Sequence, residues 1–538
     1  MEMIKNYEKK GGPLVSILIS TYNRPQYFSL ALASILQQSY RNLQVIVVND
    51  GGQDVSDIIN SFHDQRVVFI NRKDNRGKAC CLNEALNRAD GKYVAYLDDD
   101  DLYYPNHIET LVHTLEFQTD CGVAYSDFYK AYCRISSDGN RQVLSKVLDV
   151  SRDFDRFFML VFNHVLHVCL MHRRDLLEKT GTYNEQLNVL IDWDMTRRLT
   201  FFTDFHHVHE ITGEYYHPEG ESDRISVQRR KDKCEYLRNV LTIRNTRPPK
   251  PWPKIKDLSI ILLTDKLDEQ VANTIQAVWQ YTFYPYRLYL PLSQSDTNRL
   301  NSDMPNLVLV PVDSSLAQTQ RLDAVLNKCD SEYIAIMPGN FSINDMWIEN
   351  PLYALINNPD NCRGYEPEGS TEELWSAVVK KDELQFARRS FPNLSVRESL
   401  ISVGIVLKHP DFEEYPFQFD NLLRQARLAE KDGDFSKAGQ IFEYIAENHQ
   451  NELWMQRLAT KAFFKAANHI RAAELCHNLN RQRPTVDTLL LEAKIKRENK
   501  DFNSAIELLK MAEQMLENPV RRLSAGSAPS HLQVSEHQ

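Results

Sequence analysis

The chain has no run of about 18 apolar residues, so nothing in it reads as a membrane span. Its opening, Met1 to Gly12, is polar and charged, without the apolar centre of a signal peptide. Positive charge is not in excess. The 63 Lys and Arg face 73 Asp and Glu, and the net charge of −10 argues against a general nucleic-acid binder. The nine cysteines form no C-x-x-C pair, so neither a zinc site nor a disulfide framework is expected, and a reducing compartment fits. Together these absences point to a cytoplasmic chain, with peripheral contact at the inner face of a membrane left open.

What is present is an ordinary globular composition, 42% hydrophobic and 25% charged, over 538 residues. That length implies roughly three domains. One stretch stands out. Lys92-Tyr93-Val94-Ala95-Tyr96-Leu97 is about a strand long and ends in Asp98-Asp99-Asp100-Asp101. Four like charges repel, and a hard cation such as Mg²⁺ or Mn²⁺ would hold them together through carboxylate oxygens. A solvated acidic loop is the plainer alternative.

The residues before it alternate strand and helix. Leu14 to Ser20 reads as a buried strand, and Thr21-Tyr22-Asn23-Arg24-Pro25 as a turn. A helix follows over about Gln26 to Gln38, with Leu30, Ala33, Ser34 and Ile35 marking its packed side. Leu43 to Val48 is a second strand, ending in Asn49-Asp50-Gly51-Gly52, and Val67 to Ile70 a third. This alternation argues a parallel α/β sheet, in which ligands bind beyond the carboxyl ends of the strands. Asp50 and Asp98 to Asp101 both lie at such ends. Asp50 also suits a plain turn before Gly-Gly.

With Val15 to Arg24, Val48-Asn49-Asp50-Gly51, Asn75-Arg76-Gly77-Lys78, Asn83, Tyr96 to Asp101 and Pro105 occurring in order, residues 13 to about 225 resemble glycosyltransferase family 2. The resemblance implies the nucleotide-diphospho-sugar transferase (GT-A) fold and a nucleotide-diphosphate sugar donor. It implies donor contacts from Thr21, Tyr22, Asn23 and Arg24, a nucleobase contact from Asp50, a ribose contact from Asp98 with Asp99 beside it, and diphosphate contacts from Arg76 or Lys78. It also implies Mn²⁺ or Mg²⁺ on Asp100. Asp192, in Ile191-Asp192-Trp193-Asp194, is the implied general base, although Ile191 stands where the family usually has Glu. Asp194 is the reserve, and an N-cap is the structural alternative for Asp192. His217 is a second implied metal ligand. His164 and His167 read as packing or loop residues, and His206, His207 and His209 as solvated or packed. Residues 219 to 231 are polar enough to form a lid.

The first domain is therefore expected over 13–246 and a proline-rich linker over 247–256. A second copy follows over 257–410. Ser259 to Thr264 echoes Ser16 to Thr21, and Leu322, Asn327, Tyr333 and Glu349 match Leu82, Asn87, Tyr93 and Glu109 at a constant offset. This copy lacks the acidic residues. Pro338-Gly339-Asn340-Phe341 replaces the four aspartates and Ser293 replaces Asp50, so it is expected to be a degenerate GT-A-like domain. Ala438, Ala472 and Ala505 recur at tetratricopeptide-like spacing, so 421–518 is expected to be an all-α repeat unit for a protein partner or self-association. Residues 519–538 read as a disordered tail.

These readings converge on an inverting, metal-dependent transfer of a sugar to an acceptor hydroxyl: glycan, lipid-linked or protein. Surface polysaccharide or glycoconjugate assembly is the setting by family analogy. Transfer to a protein recruited by the repeats, or a non-catalytic scaffold, stay open at this point.

Overall fold

The computed structural model describes residues 12–136, 139–219, 232–299, 306–344, 346–357, 363–367, 369–408, 418–448 and 452–516. The stretch 220–231, read as a lid, and the tail 519–538 lie outside them. Among the described residues no helix is long and apolar enough to cross a membrane.

The N-terminal unit runs β1 (Val15–Thr21), α1 (Pro25–Leu36), β2 (Leu43–Asn49), α2 (Ser56–Ser61), β3 (Val67–Asn71), α3 (Lys78–Leu86), β4 (Tyr93–Asp98), β5 (Leu102–Tyr103) and α4 (His107–Phe117). It continues with β6 (Cys121–Ile135), β7 (Arg141–Val147), α5 (Arg156–Val161), β8 (Leu170–Arg173), α6 (Ile191–Leu199), β9 (Asp204–Pro218) and α7 (Lys233–Asn245). The sheet order is β3-β2-β1-β4-β8-β6-β9-β5, with β7 on β6. β1, β2, β3 and β4 are parallel, and β8 enters antiparallel between β4 and β6. The central strands are buried on both faces, which is why they read as unbroken apolar runs. Pro25 starts α1, where its missing N–H costs nothing. Leu30 does not join the packed side of α1: it is exposed, while Phe28, Ala31, Leu32 and Ile35 are buried. β6 runs 15 residues, from Cys121 to Ile135. Residues 128–160, unreadable from sequence, hold the end of β6, all of β7 and the start of α5.

The second unit contains β10 (Leu258–Leu263), α8 (Glu269–Tyr281), β11 (Tyr286–Leu292), β12 (Leu307–Pro311), α9 (Gln318–Leu326), β13 (Tyr333–Pro338), α10 (Glu349–Asn357), β14 (Gly364–Tyr365), β15 (Ala377–Lys380) and β16 (Leu407–Lys408). Its sheet order is β12-β11-β10-β13-β15-β14-β16. Substituting position for position, this is β3-β2-β1-β4-β8-β6-β9, and each pairing keeps its parallel or antiparallel sense. The register repeats too: Val15 pairs with Leu43 and Tyr93, and Leu258 pairs with Tyr286 and Tyr333. The two units meet through α5 and α6. Leu160 and Phe201 are buried in the core of the second unit, and Trp252 packs edge-on against Phe201 at 5.0 Å. The proline-rich connection is thus docked against the first unit.

Six helices follow: α11 (Gln418–Lys431), α12 (Phe435–Asn448), α13 (Glu452–Lys465), α14 (His469–Gln482), α15 (Val486–Glu498) and α16 (Phe502–Leu516). Ala438, Ala472 and Ala505 are all buried, where a small side chain lets helices approach closely. These helices are fixed to the first unit. Arg152 pairs with Asp420 at 2.6 Å, Trp454 Nε1 donates to the Asp149 carbonyl at 3.0 Å, and Arg483 pairs with Asp127.

One buried carboxyl makes the second unit sensitive to pH. Glu349 Oε1 accepts the backbone N–H groups of Phe283 and Tyr284 at 2.6 and 2.8 Å, while its Oε2 has no hydrogen-bond partner. Burial pushes this carboxyl up to about 7, against the pull of those two N–H groups. A raised acid pKa means the stabilisation is full below the unfolded value near 4.5 and is lost as pH rises through about 7. Raising the pH from 4.5 to 8.5 should therefore remove about 2–4 kcal/mol from the second unit. Thermal unfolding should show Glu349→Gln flattening that slope.

Candidate active site

Three loops bring the carboxylates together. The turn after β4 carries Asp98 to Asp101, and the turns after β1 and β2 flank it. Each aspartate has its own partner. Lys78, at the start of α3, pairs with Asp98 at 2.5 Å. Thr21 Oγ1 donates to Asp99 at 2.8 Å, and Arg24 lies 3.5 Å from Asp99 and 3.2 Å from Asp100. Asp101 accepts the backbone N–H of Tyr216 at 3.0 Å. Asp99 and Asp101 are therefore buried braces, not solvated neighbours. Burial raises the Asp99 carboxyl to about 7, the Asp100 charge adds to this, and Arg24 and Thr21 oppose it.

One oxygen each from Asp98, Asp100 and Asp101 can be chosen within 4.8 Å of one another. An all-carboxylate donor set of this size fits a hard divalent cation. His217 is not part of this group. It sits on β9 against the Tyr132 ring, 5.4 Å between centroids, so the expectation that it completes the metal set is not met by this geometry.

Asp50 lies at the end of β2 and is buried. Its two oxygens accept the backbone N–H groups of Arg76 and Gly77 at 2.9 and 2.8 Å, and Arg72 stands 3.3 Å away. It thereby ties the turn after β2 to the start of α3. Arg76 serves through its backbone, and its side chain is exposed. Gly51 adopts φ +73, and a Cβ there would meet Asp74 backbone carbon at 2.5 Å, so only glycine fits. Asn23, also at positive φ, accepts the Gln53 N–H at 2.8 Å and locks the β1 turn to the β2 turn. Tyr22 beside it is exposed.

α6 carries Asp192 and Asp194, which have different places. Asp194 is buried in an ion pair with Arg198 at 2.7 Å, and Arg198 also donates to the carbonyls of Thr180 and Thr182. Asp194 is thus a structural counter-ion and not a reserve base. Asp192 sees Lys78 and Asp98 instead. Burial raises its carboxyl, and Lys78 partly offsets this. Burial alone would lower the Lys78 ammonium, but Asp98, Asp192 and Asp100 together keep it above its usual range. Lys78 therefore links the β4 carboxylates to Asp192.

Two residues of the site carried no sequence signal. Arg141 of β7 donates to the Asp100 carbonyl at 2.7 Å, its guanidinium lying 3.7 Å from the Tyr27 ring centroid and 4.4 Å from that of Tyr216. Asn163, just after α5, donates from Nδ2 to Asp192 Oδ2 at 3.0 Å. His167 packs as expected, stacked on Tyr96 at 4.1 Å. His207 lies outside the crevice and is not solvated. Its ring bridges Asp127 at 2.9 Å and Asp153 at 2.8 Å, and Arg483 pairs with the same Asp127. With both ring nitrogens engaged and a guanidinium already present, this group, with His209 beside it, is an ion-pair clamp for the helices.

The two α6 carboxylates are separable by stability. Asp194→Ala leaves the buried Arg198 guanidinium without its counter-ion and should cost about 3–5 kcal/mol. Thermal unfolding of Asp194→Ala beside Asp194→Asn, which keeps a hydrogen-bonding side chain, should show the larger loss in the alanine variant.

Residues 16–180 match the model of glycosyltransferase family 2, described as "Glycosyl transferase family 2". An uncharacterized glycosyltransferase of Rickettsia prowazekii is 30% identical over 206 residues, 37% of this chain and 62% of its own length. The chain spans less than two thirds of the length of the curated relatives it matches. Among solved structures, the mannosyltransferase PcManGT of Pyrobaculum calidifontis, in complex with GDP-Man and Mn²⁺, is 19% identical with a TM-score of 0.34 over 44% of this chain and 66% of its own. Residues 1–349 of S. aureus TarS are 16% identical with a TM-score of 0.33 over 43% and 65%.

Proposed function

We propose that the first unit is a GT-A glycosyltransferase that moves a sugar from a nucleotide-diphosphate donor to an acceptor hydroxyl with inversion. The observation that carries this reading is the gathering of Asp98, Asp100 and Asp101 at the end of β4, opposite Lys78 and Asp192. The match of residues 16–180 to the family model supports it.

In this reading the nucleobase lies between Asp50 and the exposed Tyr22 ring, and Asp98 faces the ribose. Mn²⁺ or Mg²⁺ on Asp100, with Asp98 and Asp101 beside it, supplies electrostatic neutralisation of the departing diphosphate. Arg24 and Lys78 add positive charge on either side of the same carboxylates. Asp192 takes the acceptor proton as the acceptor oxygen bonds to the anomeric carbon and the bond to diphosphate breaks. Burial suits it to this task, because a carboxylate with a raised pKa is a stronger base. The second unit, which lacks the four aspartates, is a degenerate copy acting as a support, and the helices are tetratricopeptide-like repeats. The acceptor is a glycan, a lipid-linked compound or a protein, in surface polysaccharide or glycoconjugate assembly.

Transfer to a protein acceptor is favoured by one feature. The repeats dock on the β6–β7 side of the first unit, and β7 also supplies Arg141 to the Asp100 carbonyl.

Nucleotide release from a panel of UDP-, GDP-, CDP- and dTDP-sugars, with Mn²⁺ or with chelator, tests the proposal. One donor should release nucleotide only with metal, and Asp100→Ala should reduce that release at least about 100-fold. Release unaffected by both chelator and Asp100→Ala would refute the metal role. Absence of both release and nucleotide binding would refute the enzyme.

A further inference from the structure

Asp192 is the second residue of α6, and the helix starts under strain. Leu190 before it has φ 63, in the left-handed region, which costs a branched residue about 1–2 kcal/mol. The residue between them, Ile191, is buried and apolar, so no polar side chain adjacent in sequence orients the carboxylate. Beside the backbone N–H of Trp193, which also bonds the carboxylate, the side-chain contact comes from 29 residues upstream, where Asn163 Nδ2 donates to Asp192 Oδ2 at 3.0 Å. The amide can take only one orientation. Its Oδ1 accepts the Val165 N–H at 3.3 Å and faces the Thr196 hydroxyl at 3.5 Å. A flipped amide would set its oxygen against the carboxylate and its N–H against another N–H.

Asn163 is itself held from two sides. It follows α5, whose Met159 carbonyl accepts from Trp193 Nε1 at 2.9 Å and whose Leu160 carbonyl accepts from Arg197 Nε at 3.3 Å. The same Leu160 is buried in the core of the second unit, and Phe157 packs on Tyr284 at 5.5 Å and on Tyr353 at 5.3 Å. α5 is therefore clamped between α6 and the second unit, and the amide stands at its end.

We infer that Asn163 is the positioning residue for Asp192: its amide fixes one carboxylate oxygen, sets the rotation of the group, and favours the ionised form that accepts a proton. The second unit contributes by clamping α5. The inference rests on the reading of Asp192 as general base. The titratable and charged groups facing Asp192 are Lys78 from α3, Asp98 from β4 and Tyr183. Lys78 is shared with Asp98, with which it is paired.

The test uses the full-length chain as wild type, Asn163→Ala, Asp192→Asn and the double variant. Thermal unfolding is measured at pH 5 and pH 8, without ligand. Asn163→Ala should lower Tm more at pH 8 than at pH 5, because the lost amide donor serves the ionised carboxylate, and this difference should vanish in the Asp192→Asn background. Equal losses at both pH values and in both backgrounds overturn the inference. The second readout is kcat against pH with the donor that releases nucleotide. Asn163→Ala should lower kcat about 10- to 100-fold with KM little changed. It should also move the acid limb up by about one to two pH units. Asn163→Asp, which sets a like charge beside the base, should move it further. An acid limb that stays in place means that Asn163 is merely structural. If Asp192→Asn keeps wild-type kcat, the base itself is misassigned and both readings fall. If Asp192→Asn is inactive and Asn163→Ala is unaffected, only this inference falls.

Discussion

Four adjacent carboxylates at the end of one buried strand repel one another, and the first unit is arranged to relieve that repulsion. The aspartates draw on three elements: Lys78 from α3 for Asp98, Thr21 and Arg24 from the end of β1 and its turn for Asp99 and Asp100, and the Tyr216 N–H from β9 for Asp101. The backbone carbonyl of Asp100 takes a guanidinium from β7. Removing any of these would return charge to a place with little water to screen it. The turn is thus the point to which four separate segments are tied.

The same logic sorts the other acidic groups. Asp50 joins two turns through backbone N–H groups, Asp194 neutralises Arg198, and Asp127 joins His207 and Arg483 in the clamp that docks the helices. Asp194 and Asp127 are satisfied within the protein. Asp98, Asp100 and Asp101 instead bring one oxygen each within 4.8 Å of one another, with Asp192 on the other side of Lys78. The second unit keeps the strand order and register of the first without its four aspartates. What it supplies is a packed surface: it buries Leu160 and Phe201 and so holds α5 and α6 against each other. A unit without the four aspartates thereby packs against the segments that carry Asn163 and Asp192.

Much of this was legible in the sequence. The central parallel strands are apolar on both faces, and the functional loops follow them directly, so a strand-end aspartate is a strong signal in one dimension. The repeated register of the second unit was also visible, because duplication leaves a constant offset. Other features left no such trace. Leu30 lies within a helical apolar pattern yet faces outward, since a pattern does not say which side a neighbouring element will cover. The later part of β6 left little trace, because the strand is buried along most of its length and shows no alternation.

The sequence by itself determined the strand ends, the order of the acidic motifs and the replacement of the four aspartates by Pro338-Gly339-Asn340-Phe341 in the second unit. These are local properties, carried by composition and spacing along the chain. Only the tertiary structure decided which carboxylates are braces and which face the crevice. It alone separated Asp192 from Asp194 and set His217 apart from the carboxylate group. It also brought Asn163 and Arg141 into the site from segments with no motif. The physical reason is that a carboxylate's role depends on what it meets across space. Apart from Arg198, four residues from Asp194, those partners lie 20 or more residues away, as Lys78 from Asp98 and Asp101 from Tyr216, where no local spacing rule reaches.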